Sequence, residues 1–588
     1  MTKSTIFKGI SAAPGLASGL AFLWQETDLK LPEPYVCSDP EAAWQKIHAA
    51  IDQAKQEIGQ IRLKAESRLG KSEAAIFDAH LMMVEDVSLL EMVTEALKAG
   101  ANPEAAWNNS IEAFAGMLEK LSDPLLSARA ADVRDVGGRV LAHLLGRPLV
   151  ENTIESPSIV IARDLTPSQT TLMDHSKVLA FCTSEGGPTS HTAILSKALG
   201  IPAIVAMGEA ILGISNGDLL LVNSENGTLT CRPSEAQMLE FNRRQAQKSA
   251  QASSDLEMAF QPAITRDGFR VEVVANIGSA EDASLAVRYG AEGVGLFRTE
   301  FLYLNRSSML VLNQQVENYS QVIKALQGLP LVVRTLDIGG DKQVDYLGIR
   351  KEGNPFLGWR GIRMVFERPE ILAEQFRALL LAGRGTDLRI MIPMVARKEE
   401  VVRARLILDE TLQTVRDEHP SYQVRLQFGI MIEVPSAALI AEHLAPLVDF
   451  FSIGTNDLTQ YTLAMDRMNA RIAPFATPFH PAVLRLIERT ITVGHEYGKW
   501  VGMCGEFAGE PAAIPFLLGL ELDEFSISPA SIPLAKRIIR QLSRKDCREI
   551  ARFALGLAEA GEVEAYLKSI LSGMSGLKFD SSIGLVKN

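Results

Sequence analysis

The stretch that decides the fold is residues 428–457, FGIMIEVPSAALIAEHLAPLVDFFSIGTND. Two short apolar runs, at 428–432 and 450–453, flank a segment rich in alanine and leucine, which is typical of a strand, a helix and a second strand. A carboxylate follows each run, Glu433 directly and Asp457 within a few residues. Because alternating strands and helices form parallel sheets, both carboxylates are predicted to lie at the same edge of one sheet.

The same alternation continues on both sides of this stretch. Strand-like runs occur at 270–275, 293–297, 331–335, 388–394, 428–432, 450–453, 500–503 and 524–527. Helical stretches separate most of them. Eight strands in about 320 residues match a (β/α)₈ TIM barrel, a fold of typically ~250 residues that grows by insertions. We therefore predict a C-terminal barrel whose active site lies at the carboxyl ends of its strands.

The N-terminal part of the chain has a different pattern. Short β-branched runs between residues 159 and 231 alternate with helix-like stretches, as in an α/β unit. Between residues 38 and 146, apolar residues recur at helical spacing, and Asn102 before Pro103 is typical of a capped helix start. We interpret this block as about four helices inserted into the α/β domain.

The fold class is thus α/β and multidomain. A charged, Gln- and Ala-rich segment after residue 234 has few apolar positions, which favours a linker helix that packs weakly. We predict four parts, namely an α/β domain, an inserted helical bundle, a linker helix and a barrel. Their boundaries are 1–24 with 147–233, 25–146, 234–262 and 263–588.

Composition narrows the function. The 588 residues are 47% hydrophobic and 22% charged, which indicates several globular domains. The net charge of −12 would repel a nucleic-acid backbone, so no nucleic-acid partner is expected. Five cysteines, odd in number and without metal-ligand spacing, favour reduced thiols. Since no apolar run reaches about 18 residues and no leader pattern is seen, we predict a cytoplasmic protein without membrane insertion.

Polar side chains follow five of the eight predicted strands. They are Arg298, Arg334, Asp337, Glu433, Asn456, Asp457, Cys504 and Glu506. With Lys342 and Arg467 nearby, the arginines predict a site for a small, multiply charged anion, because guanidinium groups bind carboxylate and phosphate with two hydrogen bonds. The carboxylates Glu433 and Asp457 suit Mg²⁺. Such residues also form salt bridges at barrel rims, but the agreement of five strand ends favours a site.

Cys504 has two interpretations. A lone cysteine after a strand is often a small buried apolar residue. Its position beside the predicted anion makes an acid role equally plausible.

A second candidate site lies at residues 186–195, GGPTSHTAIL. Two glycines lead into a helix, whose first N–H groups and positive dipole end favour a phosphoryl group on His191. The other eight histidines have no comparable context and are interpreted as structural. Because no metal-ligand pairing accompanies His191, a nucleophile is favoured over a metal ligand.

These segments together resemble the phosphoenolpyruvate-utilising enzymes, and most closely the enzyme I group of the bacterial sugar phosphotransferase system. Besides 186–195, the motifs are DLTPS at 164–168, GLFRTE at 295–300, TLDIGGDK at 335–342, FSIGTNDLTQ at 451–460 and GMCGE at 502–506. The resemblance runs in order from Gly9 to about Ser543. Motifs of this length in collinear order are specific, whereas a single GxG would not be.

The resemblance implies the reaction and the role of each site residue. It implies that phosphoenolpyruvate phosphorylates His191, that Thr170 supports this histidine, and that Cys504 protonates enolpyruvate to pyruvate. Mg²⁺ is implied on Glu433 and Asp457. The implied phosphoenolpyruvate ligands are Arg298, Arg334, Lys342, Asn456, Asp457 and Arg467.

It also implies two protein partners. The helical bundle would dock a histidine phosphocarrier protein, chiefly through residues 75–80 and 129–135, and the barrel would form a homodimer. Pro188 and Lys197 stand where many members of the family have arginine. These departures leave the implied nucleophile unchanged.

Three alternatives remain. An ATP-dependent phosphoenolpyruvate synthase or dikinase needs a nucleotide-binding domain, but the sequence has no GxxxxGK[ST] motif and the helical insert is too small for one. The nitrogen-related regulatory paralogue of enzyme I normally carries a preceding sensory domain, whereas this sequence starts at the first family motif. An inactive scaffold would not be expected to keep the whole set of charged residues at the strand ends.

Overall fold

The computed structural model resolves the chain into two compact units, Met1–Ser249 and Ala250–Asn588. The residues that it describes are 4–25, 29–33, 35–68, 71–120, 124–147, 152–187, 190–303, 306, 308–339, 346, 348, 352–467, 469 and 472–574.

The first unit contains an eight-stranded mixed sheet. Its strands are β1 (Thr5–Lys8), β2 (Ile10–Ala13), β3 (Leu16–Leu23), β4 (Ser158–Ala162), β5 (Val178–Thr183), β6 (Ala203–Val205), β7 (Leu219–Asn223) and β8 (Thr228–Cys231). The strand order is β1-β8-β7-β3-β4-β5-β6-β2. The run β3-β4-β5-β6 is parallel, and the outer pairs are antiparallel.

Both faces of this sheet are covered. Along β4, Ile159 and Ile161 belong to one apolar cluster, and Val160 and Ala162 belong to another. Since successive side chains of a strand point to opposite faces, the uninterrupted apolar run of β4 reflects burial on both sides.

Five described helices lie between β3 and β4, where the sequence pattern predicted about four. They are α1 (Pro40–Arg68), α2 (Lys71–Val84), α3 (Val87–Lys98), α4 (Pro103–Glu119) and α5 (Pro124–Leu145). The break between α2 and α3 has no glycine or proline, and instead Asp86 caps α3 by accepting the N–H of Ser88 and Leu89. The predicted cap of α4 is confirmed, because Asn102 Oδ1 accepts the N–H of Ala105 at 2.8 Å.

Two shorter helices follow within the α/β part of this unit, and a long one comes after β8. They are α6 (Pro167–Leu172), α7 (His191–Leu199) and α8 (Glu235–Met258). Helix α8 continues across the boundary at Ser249. The predicted four-part division of the chain stays a prediction.

The second unit is a closed parallel barrel, as predicted. Its strands are β10 (Arg270–Ile277), β11 (Val294–Arg298), β12 (Leu331–Arg334), β13 (Asp387–Ile392), β14 (Arg425–Ile432), β15 (Phe450–Ile453), β16 (Trp500–Met503) and β17 (Glu524–Ile527). Each pairs in parallel with the next, and β10 pairs with both β17 and β11, which closes the barrel. A short strand β9 (Ala263–Ile264) adds an antiparallel pairing to β10.

Helices surround these strands. They are α9 (Ala280–Arg288), α10 (Leu312–Ala325), α11 (Pro369–Ala382), α12 (Lys398–Glu418), α13 (Pro435–Leu439), α14 (Ala441–Leu444), α15 (Thr455–Leu463), α16 (Pro481–Glu496), α17 (Ile514–Gly519), α18 (Ile532–Gln541), α19 (Arg544–Gly556) and α20 (Ala560–Met574). Strand residues of alternate parity pack outward against these helices, as Val333 and Ile432 do. Others, among them Met391 and Met431, fill the barrel interior with Cys504.

In the described part of the chain, no helix combines the length and the apolar character that spanning a membrane requires.

Candidate functional site

A cavity of about 420 Å³ opens at the carboxyl ends of the barrel strands. The predicted residues that line it are Arg298, Arg334, Glu433, Asn456, Asp457, Arg467, Cys504 and Glu506. Barrel closure brings these residues together from strand ends that lie about 200 positions apart in the sequence. Lys342 lies outside the described residues.

Arg334, the last residue of β12, is buried at the floor of this cavity. Its Nη2 donates to Glu300 Oε1 at 2.5 Å, and its Nη1 lies 3.4 Å from Asp337 Oδ2. Burial lowers the pKa of this guanidinium, but the charges of Glu300 and Asp337 outweigh burial and raise the pKa overall. Arg334 is therefore a fixed positive charge.

Arg360 also lines the cavity, and the sequence analysis missed it. The guanidinium is 1% exposed and joins two carboxylates. Its Nε and Nη2 donate to Asp337 at 2.9 and 3.0 Å, and its Nη1 and Nη2 donate to Asp457 at 3.1 and 3.0 Å. Its Nη1 also lies 3.2 Å from the hydroxyl of Tyr461.

The position of Arg360 explains why strand-end reasoning did not find it. It follows Trp359 in an irregular segment that comes long after β12 ends. The following Gly361 has a φ of +57°, and a Cβ there would lie 3.0 Å from Met394. In the sequence, Gly361 after Arg360 is consistent with a turn at this point, but it does not indicate that the turn leads back to the barrel.

Two buried carboxylates face the cavity, Glu433 directly after β14 and Asp457 in α15. Glu433 Oε1 accepts the backbone N–H of Met394 at 2.5 Å. Burial and the neighbouring charges of Asp457 and Asp337 raise the pKa of Glu433 to about 8. Such crowding of oxygen ligands is what a divalent cation relieves, so the donor set fits Mg²⁺.

No cluster of three or more His, Cys, Asp or Glu side chains within the described ranges could hold a metal ion. Glu433 and Asp457 would therefore supply only part of a coordination shell. This suits Mg²⁺, which usually keeps waters and takes substrate oxygens as further ligands.

The remaining polar groups lie at the open side of the cavity. Asn456 and Glu506 form a pair of hydrogen bonds, in which Asn456 Nδ2 donates to Glu506 Oε1 at 3.2 Å and its Oδ1 accepts the Glu506 N–H at 3.1 Å. Arg467 is 32% exposed and lies 3.8 Å from Asp457. Arg298 is half-buried, and it forms no ion pair with any residue that the structure describes.

Cys504 lies at the inner wall, where β16 ends. The side chain is 3% exposed, and its Sγ lies 3.8 Å from the carbonyl oxygen of Ile453. Burial raises the pKa of the thiol to about 11, against the opposing effects of Ser452 and Arg334. The thiol is therefore protonated at neutral pH, the form that a proton donor needs.

The second candidate site, in the first unit, is built around the start of α7. His191 is the first residue of this helix, and Ser190 caps it by accepting the N–H of Ala193 at 3.4 Å. Thr192 donates to Asp164 Oδ1 at 3.2 Å. Gly186, with a φ of +86°, allows the sharp turn before the helix.

Thr170 and Lys197 lie close in sequence to this segment, in α6 and α7. Thr170 is buried, and its hydroxyl donates to the carbonyl of Thr166 at 3.2 Å. Its own carbonyl oxygen lies 2.9 Å from His175 Nε2. Lys197 is exposed, whereas Pro188 lies outside the described residues.

Comparison with known proteins decides the family. Three family profiles match the chain in order, the N-terminal domain of PEP-utilising enzymes at residues 8–129, their mobile domain at 154–227 and their PEP-binding domain at 253–544. The phosphoenolpyruvate-protein phosphotransferase of Bacillus sp. (strain S) is 41% identical over 566 residues, which cover 96% of this chain and 98% of that protein. The chain belongs to the phosphoenolpyruvate-protein phosphotransferase family.

Two further relatives show the same degree of similarity. The phosphoenolpyruvate-protein phosphotransferase of Geobacillus stearothermophilus is 41% identical over 96% of this chain and 98% of its own length. That of Staphylococcus carnosus (strain TM300) is also 41% identical, over 96% of this chain and 99% of its own length. The predicted membership of this enzyme family is confirmed.

Family membership gives the two candidate sites a common context. Residues 253–544, which match the PEP-binding domain of the family, include all the residues that line the charged cavity. The mobile domain that matches residues 154–227 includes Thr170, His191 and Lys197. The two candidate sites therefore lie in residue ranges that match separate domains of the family.

Proposed function

We propose that the chain transfers the phosphoryl group of phosphoenolpyruvate to a histidine of a small phosphocarrier protein, by way of a phosphohistidine at His191. This would be the first step of the sugar phosphotransferase system. The observation that carries the proposal is the barrel cavity, where buried arginines and carboxylates surround a protonated thiol.

The arginines provide the recognition of the substrate. Phosphoenolpyruvate carries a phosphate and a carboxylate, both of which guanidinium groups bind with paired hydrogen bonds. Arg298 is available for this, because it has no ion pair among the described residues, and Arg467 is partly exposed at the same cavity. Arg334 and Asn456 complete the proposed set of substrate ligands in the cavity. Lys342 is included in this set because the sequence resemblance implies it.

Glu433 and Asp457 would hold Mg²⁺ beside the bound substrate. When bound, this cation neutralises negative charge on the phosphate and carboxylate oxygens of phosphoenolpyruvate. Arg360 already bonds Asp457 and Asp337, and so it fixes the direction of both carboxylates.

The chemical step then needs a nucleophile and an acid. A neutral imidazole nitrogen of His191 attacks the phosphorus in line, and the bond between phosphorus and the enol oxygen breaks. The departing enolate of pyruvate takes the proton of the Cys504 thiol at its methylene carbon, which gives pyruvate. The Cys504 thiolate regains its proton from solvent.

The helical bundle is our candidate for the docking of the phosphocarrier protein. The proposal rests on the resemblance at residues 75–80 and 129–135, in helices α2 and α5. Two buried members, His80 and Asp132, lie 3.5 Å apart and support the bundle from inside, whereas Arg129 is 34% exposed and could contact a partner. A homodimer through the barrel and a cytoplasmic location also stay predictions.

Labelling with ³²P-phosphoenolpyruvate and Mg²⁺ tests this function. We expect stable label on the protein that is released by acid and retained in base, as for a phosphoramidate bond, and that passes to an added phosphocarrier protein. A chain that takes up no label, or label that survives acid, would contradict the proposal.

A further inference from the structure

Gln375, in the middle of α11, is a buried amide that the reaction outlined above does not use. Its side chain is 1% exposed. The carbonyl oxygen Oε1 accepts the backbone N–H of Leu336 at 2.9 Å. The amide nitrogen Nε2 donates to Thr299 Oγ1 at 3.2 Å and to the hydroxyl of Tyr319 at 3.1 Å. One amide therefore uses both of its N–H donors and its carbonyl acceptor.

Two of these partners adjoin arginines of the cavity. Thr299 directly follows Arg298, and Leu336 is the second residue after Arg334. The hydroxyl of Thr299 in turn donates a hydrogen bond to the backbone carbonyl oxygen of Arg334 at 2.8 Å. Gln375 and Thr299 thus join the ends of β11 and β12 just beyond the last paired residues, Arg298 and Arg334.

The backbone pairing of β12 with the sheet ends one residue after Arg334. Thr335 still donates its N–H to the carbonyl oxygen of Met391 at 2.9 Å, whereas the N–H of Leu336 donates to Gln375. Glu300, the residue after Thr299, holds the Arg334 guanidinium from the same segment. A shift of Thr299 would therefore move the residues on both sides of it, Arg298 and Glu300.

Only a primary amide satisfies all three partners. A glutamate could accept from Leu336 but could not donate to Thr299, whose proton is already used on Arg334. A leucine would leave the buried N–H of Leu336 without a partner, which costs about 1–3 kcal/mol. The chemistry of the site therefore explains why a glutamine stands on the buried face of α11, together with Leu372 and Phe376.

We propose that Gln375 is a positioning residue, which sets the directions of Arg298 and Arg334 for binding the substrate anion. This inference rests on the proposed function of the cavity. The hydrogen bonds of Gln375 go to the hydroxyls of Thr299 and Tyr319 and to the backbone of Leu336, so it acts on the arginines through Thr299 and Leu336.

The inference predicts a particular kinetic change. In Gln375→Leu, the affinity for phosphoenolpyruvate should fall at least about tenfold, which corresponds to ~1.4 kcal/mol. Cys504 lies on another strand, and His191 lies in the other unit, so kcat at saturating substrate should change by less than about threefold. Isothermal titration with phosphoenolpyruvate and Mg²⁺ gives the affinity, and pyruvate release gives KM and kcat.

Gln315 is a matched control for the loss of a buried glutamine. Its side chain is also 1% exposed, and its Nε2 donates to the carbonyl of Leu310 at 3.1 Å and to Glu374 at 3.3 Å. Neither partner adjoins an arginine of the cavity. Gln315→Leu should lower the thermal midpoint as much as Gln375→Leu does, while the KM for phosphoenolpyruvate stays at the wild-type value.

Thr299 gives a second test that does not depend on the folding of the Gln375 variants. Thr299→Val removes the hydroxyl that links Gln375 to Arg334, and Thr299→Ser keeps it. We expect the valine variant to bind phosphoenolpyruvate at least about tenfold more weakly than the serine variant.

Each outcome has a separate meaning. If wild-type protein takes up no phosphoryl group from phosphoenolpyruvate, the proposed function is wrong. If wild-type protein is active but Gln375→Leu, or Thr299→Val, binds phosphoenolpyruvate as wild type does, the positioning role is wrong. It is also wrong if Gln315→Leu raises KM as much as Gln375→Leu does, because the effect would then follow stability alone.

Discussion

The barrel cavity and the start of α7 hold their functional residues in opposite ways. In the cavity, Arg334 and Arg360 are buried, and Arg360 is held from several directions by Asp337, Asp457 and Tyr461. Among the described residues at the start of α7, the segment is supported by the Ser190 cap and by a hydrogen bond from Thr192 to the exposed Asp164. A site proposed to recognise an anion benefits from fixed charges, whereas a residue proposed to serve two partners needs only local support.

The largest expected effect separates binding from phosphorylation. His191→Ala should reduce labelling by phosphoenolpyruvate at least about a thousandfold, because it removes the proposed nucleophile. Titration of the same variant should show wild-type affinity for phosphoenolpyruvate, since the cavity is unchanged. His143→Gln, in α5 of the same unit, should label normally. Labelled His191→Ala protein would mean that another residue accepts the phosphoryl group.

The next effect concerns the acid in the cavity. Cys504→Ala should slow pyruvate release by about 10²–10⁴-fold, the range for loss of a general acid, with little change in substrate affinity. Because burial raises the pKa of this thiol to about 11, the rate should hold through neutral pH and fall as the pH approaches 11. Cys547→Ala, which removes another buried thiol, should leave turnover unchanged. An equal loss in both variants would favour a structural role for Cys504.

Arg360 tests whether the cavity depends on its fixed charges. Arg360→Met leaves Asp337 and Asp457 without their shared partner, so the free energy of unfolding of the barrel should fall by about 3–5 kcal/mol. Arg363→Met removes a neighbouring arginine whose hydrogen bonds, among the described residues, go to the backbone carbonyls of Leu357 and Gly358, and it should cost less than about 1 kcal/mol. Denaturant unfolding of both variants decides this, and equal losses would contradict the role given to Arg360.

The smallest effect concerns the support of His191. Ser190→Ala removes the cap of α7 and should lower the free energy of unfolding of the first unit by about 1 kcal/mol. Asn102→Ala removes the cap of α4 and should cost a similar amount. Only Ser190→Ala should also slow labelling of His191. Equal labelling rates in the two variants would show that the cap matters for stability alone.

The barrel cavity and the start of α7 could both be predicted from the sequence, for different reasons. The ends of the barrel strands were predictable because β-branched apolar runs such as 428–432 end abruptly at charged residues, and barrel closure then brings those ends together. The start of α7 was predictable from glycine and serine signals that act within a few residues. Both depend on local patterns.

The parts that the sequence could not predict depend on long-range contacts. Arg360 reaches the cavity from an irregular segment whose path no periodicity describes, and its two carboxylate partners lie 23 and 97 positions away. No motif or periodicity in the sequence singles out Gln375, because its role depends on the register of α11 against β11 and β12. The bundle has five described helices rather than about four because Asp86 separates α2 from α3 without a glycine or proline at the break.

The most direct test of the central claim, that the two units divide the reaction, compares the full chain with a fragment of residues 1–249. We predict that ³²P-phosphoenolpyruvate labels the full chain and not the fragment, because every proposed substrate and metal ligand lies after residue 249. A phosphorylated carrier protein should label both at His191. A fragment that takes its phosphoryl group directly from phosphoenolpyruvate would contradict the account.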